Sequence, residues 1–405
     1  MGLYKYSPEP SGRMGLLWTV GTVSEAVLLE FGSMGHMIYG SKWMQQTGVV
    51  NKSKLYSTHI DEKDIALGIT KRVNQAFMEI MEKDHPKAIF VLPSTIPETI
   101  GTDMEAICEE LSMEYEDIPI ITFKSGGFNQ KQNKGMEEGM YKLVRHLPKS
   151  FKTTARVTYN ILGSCPDLSK FQPDVYELKR ILQGAFDIEP ICILPSHASV
   201  SQIEEMGSAH INLVLREEGK KAAKELEKHF GTPYLQGRPY GYKGTMDWLK
   251  RISETLQIDM NQEFINKELE EGKYAFNFCK QIVAHNKVRG SISVGGNIDV
   301  VNGILQFACD ELGMNKKLAW CDCKEYGIDE IPYWDEDTWI EKISPNMEGI
   351  LMSSKKVFNR AGRKSNMTIN RGLNEWNLNI YDSPYVGFRG AMNLCSLWAE
   401  TLMEN

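Results

Sequence analysis

Short apolar runs alternate along the chain with longer segments of helical period. The run at 87–93, Lys-Ala-Ile-Phe-Val-Leu-Pro, predicts a buried parallel strand, because its apolar side chains are continuous rather than alternating. A second strand is predicted at 118–123, and between the two lies a predicted helix at 100–112 with Thr102 as its N-cap. Further strands are predicted at 155–162, 190–194, 211–215, 288–294, 317–320, 349–352 and 367–370. Further helices are predicted at 14–17, 178–185, 217–229, 302–312 and 338–343.

The alternation of strand, helix and strand, at intervals of about 30 residues, is typical of doubly wound α/β sheets. A polar joint at 147–153 and a change from helical to strand pattern near 284–287 mark two boundaries. The sequence therefore predicts an α/β fold of three doubly wound, Rossmann-like domains with mostly parallel sheets around a central cleft. The predicted domains are 1–150, 151–284 and 285–405, the last of which closes with a C-terminal helix.

Composition and charge argue against nucleic-acid binding and against a membrane span. The chain has 46 basic and 53 acidic residues and a net charge of -7, with no basic block, so nucleic acid is not an expected partner. The most apolar early stretch, 14–31, is interrupted by threonine and glutamate and is too polar for a membrane span. Because the first residues lack a signal-peptide pattern, we expect a cytoplasmic protein whose eight cysteines are thiols.

Nucleotide-binding loops are not indicated either. Glycine-rich turns occur at 125–127, 237–241 and 295–296, but none matches the P-loop or the dinucleotide-binding pattern. These glycines are expected to form tight turns between strands and helices. ATP hydrolysis and dinucleotide binding on this chain are therefore unsupported.

Several sequence blocks, taken together in their order and spacing, resemble the nitrogenase component 1 superfamily. The blocks are Ser-Gly-Arg-Met-Gly-Leu-Leu-Trp at 11–18, Phe-Gly-Ser-Met-Gly-His at 31–36, the run at 89–103, Asn-Ile-Leu-Gly at 160–163, Gly-Gly-Asn-Ile-Asp at 295–299 and Gly-Phe-Arg-Gly at 387–390. The resemblance spans nearly the whole chain. It implies a subunit of a nitrogenase-like two-component reductase, in which a separate P-loop, ATP-hydrolysing iron–sulfur protein supplies electrons for reducing a small organic or tetrapyrrole-type substrate.

The departures from the family pattern concern its metal sites. Family members carry cysteines that hold an interface iron–sulfur cluster at three places, which fall here near 6–10, at His36 and near Ile96, where no cysteine occurs. Leu215 occupies the place of the cysteine that holds the large nitrogenase cofactor. The resemblance thus implies an oxidoreductase subunit other than nitrogenase itself. Any cluster would be shared with a cysteine-bearing paralogous subunit or within a homodimer, and none is expected on the isolated chain.

Two other interpretations of the same departures remain open. The chain could be a non-catalytic cofactor carrier or scaffold that kept the fold and lost the cluster. It could also be a purely structural partner subunit.

Glu9 and His36 are the candidate metal ligands. Glu9 lies in the extended segment Ser-Pro-Glu-Pro, and a carboxylate can replace a thiolate ligand; the alternative is a solvated loop acid. His36 stands in a turn, where imidazole could bind iron or donate a proton; the alternative is a turn histidine at a subunit interface.

Arg13 and Arg389 are candidates for binding substrate carboxylates, since each lies in a glycine-flanked segment close to a helix start. The alternative for Arg13 is an intersubunit salt bridge. Cys165 follows a strand, at the edge where ligands bind in open α/β sheets. The candidate catalytic residues are therefore His36, Arg13 and Cys165, and the candidate cofactor-binding residues are Glu9, His36 and Arg389. The ligand cleft is expected to be lined by 94–99, 125–128, Cys165 and 295–297.

Other chemistry-bearing residues have simpler predicted roles. His59 and Asp61 precede a helix whose acidic start the helix dipole explains. Cys321 and Cys323 are expected in a surface loop, and Cys192 in the core. The methionine-rich stretch 34–39 is expected to form an oligomer interface.

Overall fold

The computed structural model describes residues 10–32, 34–123, 131–149, 153, 155–286, 290–345, 347–364, 367–370 and 383–404, without the side chains of 36, 37, 67 and 98. Within these residues the strands form three sheets. The α/β fold class predicted from the sequence is confirmed.

The first sheet has four parallel strands in the order β2-β1-β3-β4. Its strands are β1 Ala26–Phe31, β2 Lys54–Ser57, β3 Ala88–Pro93 and β4 Ile120–Thr122. Its helices are α1 Gly12–Thr19, α2 Met34–Gln46, α3 Glu62–Leu67, α4 Thr70–Asp84, α5 Thr95–Thr99, α6 Met104–Glu114 and α7 Gln132–His146. All residues of β1 and β3 are buried, as expected for central strands covered by helices on both faces.

The second sheet has the order β6-β5-β7-β8, and β5 and β7 are parallel. Its strands are β5 Thr158–Ser164, β6 Glu189–Pro195, β7 Ile211–Val214 and β8 Tyr234–Gln236. The helices of this part of the chain are α8 Phe171–Phe186, α9 Val200–Glu204, α10 Lys220–Phe230, α11 Gly241–Leu256 and α12 Gln262–His285.

The third sheet has three parallel strands in the order β10-β9-β11. Its strands are β9 Ser291–Gly296, β10 Asn315–Cys321 and β11 Ile350–Met352. Its helices are α13 Ile298–Leu305, which continues into a wider turn at Gln306–Glu311, then α14 Glu336–Lys342, α15 Lys355–Ala361 and α16 Gly387–Glu404. The predicted strand at 367–370 is wrong: this segment makes only isolated bridges, between Thr368 and Ser353 and between Asn370 and Leu168.

All three sheets share one connection pattern. The first strand in chain order lies between the second and the third, so the chain leaves it to one side and returns on the other. Ligands of open α/β sheets bind beyond the carboxyl ends of the strands where this direction reverses. In this chain those places lie between β1 and β3, between β5 and β7, and between β9 and β11.

Contacts group the chain into two compact units. The first unit contains 9–165 and 190–234, hence the first sheet and nearly all of the second; the second unit contains 166–189 and 235–405, hence the third sheet. The division at 150 and 284 into three domains stays a prediction.

Local capping sets the start of α6. Asp103, not Thr102, is its N-cap, because the Asp103 carboxylate accepts a hydrogen bond from the Ala106 N–H at 3.0 Å. The predicted helix at 100–112 therefore begins four residues later, at Met104.

Helices α1 and α7 of the first unit pack with unusually close backbones. A Cβ atom at Gly135 would overlap the carbonyl oxygen of Gly12, and one at Gly139 would overlap the Thr19 side chain. Gly15 faces the backbone of Gln132 in the same way. Glycine is thus required along both faces of this contact, and every residue of α1 is buried as a result.

We expect Gly135→Ala to lower the free energy of unfolding by about 2 kcal/mol or more, because the methyl group would meet backbone atoms that cannot rotate away. Chemical denaturation measures the loss. Gly244→Ala is the matched control: Gly244 is also the fourth residue of its helix, α11, and among the described residues a Cβ at this position would meet no neighbouring atom within 4 Å. That variant should be neutral or slightly stabilising, and equal losses in both variants would contradict the requirement for glycine at 135.

Candidate functional site

A buried ion pair lies where the first sheet reverses direction. Glu30 stands on β1, and Arg13 reaches it from the first turn of α1, with Nη2 at 2.5 Å from Glu30 Oε1. Arg13 Nη1 also donates a hydrogen bond to the carbonyl oxygen of Pro93, the last residue of β3, at 3.2 Å. The guanidinium thus links α1 to both central strands at their carboxyl ends.

Burial dominates the protonation of this pair. The Arg13 and Glu30 side chains are 3% and 1% exposed. Loss of solvent raises the pKa of Glu30 to about 7, although the attraction of Arg13 opposes the rise. The same burial lowers the pKa of Arg13. Removing either partner would leave a buried charge behind, which typically costs about 3–5 kcal/mol.

Hydrogen bonds between Ser196 and Ser164 connect the carboxyl ends of β5 and β6. Ser196 donates from its N–H at 3.2 Å and from its Oγ at 2.8 Å to the carbonyl oxygen of Ser164. The residue after Ser164, Cys165, is 1% exposed, and its thiol donates to the carbonyl oxygen of Trp18 on α1 at 3.4 Å. Cys165 is therefore at the predicted strand end, but its sulfur is enclosed by the protein.

A second buried pair follows β7. Arg216 Nε lies 2.7 Å from Glu218 Oε2, and Arg216 Nη2 lies 3.2 Å from Glu218 Oε1, with both side chains nearly inaccessible. The stem of Arg216 passes over Gly163, where a Cβ would meet Arg216 Cγ at 2.5 Å. Gly163 also has a φ of +101°. Glycine is therefore required there both by the contact with Arg216 and by the backbone conformation.

At the third sheet the equivalent place is occupied by Asn370. The Asn370 Oδ1 accepts from the N–H of Asn297 at 3.1 Å, and its Nδ2 donates to Asp322 Oδ2 at 2.9 Å. Asn297 in turn caps α13 through hydrogen bonds to its first turn. Residues 295–297, predicted to line a ligand cleft, are thus bonded to a segment of their own unit.

Arg389 lies in the first turn of α16, and its side chain is exposed. Its backbone N–H donates to Glu177 Oε1 at 3.0 Å. The buried cation near this helix start is instead Arg238, whose Nη2 lies 2.6 Å from Asp174 Oδ2, while Asp174 Oδ1 accepts from the N–H of Tyr385 at 2.8 Å. In the sequence Arg238 stands out only as part of a glycine-rich turn, because the aspartate 64 residues before it gives no local signal.

Some of the other predicted site residues lie outside the described part of the chain, whereas Asp61 has a structural role. Glu9 and 125–128 lie outside the described residues, and so does the side chain of His36. The predicted turn at His36 is wrong, because the backbone of this residue lies in the first turn of α2. Asp61 is the N-cap of α3, with hydrogen bonds from the N–H groups of Lys63 and Asp64, which confirms the structural interpretation of that acidic turn.

The cysteines are mostly enclosed. Seven of the eight are buried, and Cys309 is half-buried. The predicted surface loop at Cys321 and Cys323 is wrong: Cys321 ends β10, and its thiol donates to the Cys323 carbonyl at 2.9 Å. Burial raises the pKa of Cys321 and of Cys108 to about 11. The predicted core position of Cys192 is confirmed.

The comparisons with known proteins agree over almost the full length of the chain. The model of the nitrogenase component 1 type oxidoreductases matches residues 11–403. The chain belongs to this family.

Two relatives in the component 1 family show how distant its members are. A light-independent protochlorophyllide reductase subunit of Dinoroseobacter shibae is 24% identical over 85% of this chain and 66% of its own length. The nitrogenase iron-molybdenum cofactor biosynthesis protein NifE of Clostridium pasteurianum is 26% identical over 72% of this chain and 63% of its own length. The chain thus spans about two thirds of the length of these curated relatives.

The fold of the component 1 family is equally evident in three dimensions. A structure of nitrogenase Cp1 at pH 6.5 superposes with a TM-score of 0.77, covering all of this chain and 94% of that one, at 16% identity. Among the helices that the structure describes, none combines the length and the apolar character needed to cross a bilayer.

Within the described residues, this component 1 chain offers no complete donor set for an iron–sulfur cluster. No cysteine occurs before Cys108, and Cys108 lies in the apolar core of the first sheet. The part of the chain that the structure describes contains no group of three or more His, Cys, Asp or Glu side chains arranged to hold a metal. Thiolates are the usual ligands of such clusters, so the described residues do not supply a complete ligand set.

We expect the pKa of Glu30 to make stability pH-dependent in a definite direction. Because the folded pKa, about 7, exceeds the ordinary value of 4.5, the contribution of Glu30 is present below pH 4.5 and is lost as the pH rises through 7. The difference in unfolding free energy between the natural chain and Glu30→Gln should therefore shrink as the pH rises over this interval.

Glu25→Gln provides the control. Hydrogen bonds from Ser201 and Lys87 hold the pKa of Glu25 at about 2, despite some burial, so this acid is ionised in the folded state throughout the tested interval and in the unfolded state above about pH 5.5. Chemical denaturation at a series of pH values should show a constant offset for Glu25→Gln from about pH 5.5 upward. A constant offset for Glu30→Gln as well would refute the assignment.

Proposed function

We propose that the chain is a subunit of a nitrogenase-like two-component reductase that acts on a small organic or tetrapyrrole-type substrate. A separate ATP-dependent iron–sulfur protein would supply the electrons. The thiolates for any cluster would come from a cysteine-bearing paralogous subunit paired with this chain.

The observation that carries this proposal is the location of thiols in the first unit. The family match runs from residue 11, so it includes most of the region in which the family resemblance places cluster cysteines, and none occurs before Cys108. Cys108 is 3% exposed among aliphatic and aromatic side chains of the first sheet, with a thiol pKa of about 11. Such a thiol is a poor metal ligand, because thiolate is the ligating form.

The substrate class rests on the relatives. Several of them are named as subunits of light-independent protochlorophyllide reductase, which supports a planar tetrapyrrole as the first substrate to test. Arg389 is exposed at the start of α16 and is proposed as a group that binds a substrate carboxylate. Arg13 is committed to Glu30 within the chain, so its proposed role toward substrate is the weaker of the two.

The partner surface is proposed on α2. Met34, Ile38 and Tyr39 are 41%, 64% and 43% exposed, whereas Trp43 of the same helix is buried and contacts Trp18 edge-on at 5.4 Å between ring centroids. One side of α2 therefore anchors the helix, and the other presents an apolar surface to solvent. Such surfaces are typical of the centre of a subunit interface.

A scaffold or cofactor-carrier role is the second candidate. It is favoured by the similarity to NifE, which is named as a cofactor biosynthesis protein. It shares the fold and the partner surface with the first candidate but requires no electron transfer. Activity of the assembled complex separates the two.

We expect the chain purified alone under anaerobic conditions to contain less than one iron per chain, because no cysteine stands at the places where the family resemblance puts cluster ligands. Iron and sulfide analysis measures this. The same analysis on the chain co-expressed with a cysteine-bearing paralogue should show a cluster, and reduction of protochlorophyllide by that complex with the iron–sulfur protein and ATP tests the substrate. Four irons and four sulfides on the lone chain would overturn the shared-cluster proposal.

We expect Ile38→Glu to weaken association with the paralogous subunit at least tenfold, because the carboxylate would be desolvated in the interface. Affinity measured between purified subunits tests this. Met78→Glu is the matched control, since Met78 lies on α4 of the same unit and is 63% exposed. Equal affinities for Ile38→Glu and the natural chain would rule out α2 as the interface.

A further inference from the structure

Lys170, at the start of α8 in the second unit, has no carboxylate within salt-bridge distance among the described residues. It directly precedes α8 (Phe171–Phe186), and its side chain is half-buried. The Lys170 Nζ donates a hydrogen bond to the Oγ of Ser383 at 2.9 Å and lies 5.1 Å from the centre of the Tyr385 ring. The ammonium is thus held by a neutral hydroxyl and an aromatic face, neither of which cancels its charge.

The carboxylate of Asp174, in the first turn of α8, is already matched by another cation. Arg238 Nη2 lies 2.6 Å from Asp174 Oδ2, and both side chains are almost fully buried. Asp174 Oδ1 accepts a hydrogen bond from the N–H of Tyr385 at 2.8 Å. Asp174 therefore attracts Lys170 only from a distance. Lys170 and Arg238 share one carboxylate, which leaves one positive charge in excess.

Charged side chains farther along α8 do not compensate this excess. Glu177 accepts hydrogen bonds from Arg180 at 2.8 and 2.9 Å and from the N–H of Arg389 at 3.0 Å. Arg180 also forms a salt bridge with Glu268, and the side chain of Arg389 is exposed. The two carboxylates and two cations of this neighbouring group balance, so the excess positive charge remains at Lys170.

The surroundings of Lys170 favour a negatively charged ligand. Loss of solvent lowers the pKa of Lys170, and the attraction of Asp174 opposes this only in part. An anion in contact with the ammonium would stabilise its charged form. The start of α8, a helix of 16 residues, adds the positive end of the helix dipole at the same place.

We propose that Lys170 and Ser383 bind a carboxylate of the substrate and so orient it, an inference that rests on the proposed function. The Ser383 oxygen accepts from Nζ, and its own proton can be donated, so the two side chains offer adjacent donors. Two donors and one positive charge match the two oxygens and single charge of a carboxylate. A phosphate carries about two negative charges and would need a second cation, but Arg238 is held by Asp174.

Arg389 was proposed above for the same role, but its side chain is exposed and stays hydrated. Hydrogen bonds are stronger where water is partly excluded. We therefore expect the half-buried Lys170 to make the stronger contact with the carboxylate.

Amine reactivity, measured on the natural full chain, tests the site without a partner subunit. Trace labelling with acetic anhydride over a series of pH values, read by mass spectrometry, gives the reactivity and pKa of each lysine. We expect sodium propionate to raise the pKa of Lys170 and slow its acetylation, because a bound carboxylate favours the charged amine. Sodium chloride at equal ionic strength should do neither, and Lys179, exposed on the same helix, should respond to neither salt. Acetylation of Lys170 that is indifferent to propionate would overturn the carboxylate site.

Steady-state kinetics of the assembled complex, with the iron–sulfur protein and ATP, test the role toward substrate. For protochlorophyllide, which carries a free carboxylate, Lys170→Gln should raise KM about tenfold with kcat nearly unchanged, because a charged hydrogen bond is lost equally from the ground state and the transition state. For the methyl ester of protochlorophyllide, the natural chain and Lys170→Gln should have the same KM. Lys179→Gln is the matched control and should leave KM unchanged for both compounds.

These measurements distinguish failure of the carboxylate site from failure of the proposed function. Slower acetylation of Lys170 in propionate supports the site even if no assembled complex reduces protochlorophyllide, a result that would overturn only the proposed substrate. Reduction of the acid and of its methyl ester with equal KM, or an equal effect of Lys170→Gln on both, would refute the site and leave the reductase activity standing.

Discussion

The arrangement of the first unit depends on the buried pair of Arg13 and Glu30 at the carboxyl end of an apolar sheet. Because Arg13 contacts both Glu30 on β1 and the carbonyl oxygen of Pro93 on β3, α1 starts beside the ends of these two strands. That position brings Gly12 and Gly15 of α1 against α7, where only glycine leaves enough room. The other end of α1 then offers the Trp18 carbonyl to Cys165. One buried pair of side chains is thus connected to a helix, to the helix that packs against it and to the first residue after β5.

The three places where the sheets reverse direction are filled by the chain's own polar side chains. Arg13 with Glu30, Arg216 with Glu218, and Asn370 with Asn297 each take up hydrogen-bonding groups that a ligand could otherwise use. Two of these are ion pairs with almost no exposure to solvent. Their charges are mutually neutralised, so they add little net field for attracting an anion. A ligand is more readily attracted by exposed groups such as Arg389.

Hydrophobic pattern predicted the regular elements well where the apolar run is uninterrupted. The predicted strand at 87–93 corresponds to β3, because all the side chains of that strand are buried. The hydrophobic pattern does not distinguish β1 from the apolar stretch that precedes it, because Glu30 interrupts the apolar run of the strand. The residue that pairs with Glu30, Arg13, lies 17 residues earlier and gives no local signal. Strand β2 is a partly exposed edge strand of four residues, for which burial gives little pattern. The candidate site was less predictable, because a pair such as Asp174 and Arg238 is brought together only by folding.

The burial of most of the cysteines has a practical consequence for the chemical reactivity of the purified chain. Thiols with raised pKa values that lie inside the protein react slowly with oxygen, peroxides and alkylating agents. Apart from the half-buried Cys309, the thiols should therefore show little maleimide labelling until the chain unfolds. Labelling kinetics would then report the opening of the folded state itself, residue by residue, without any introduced probe.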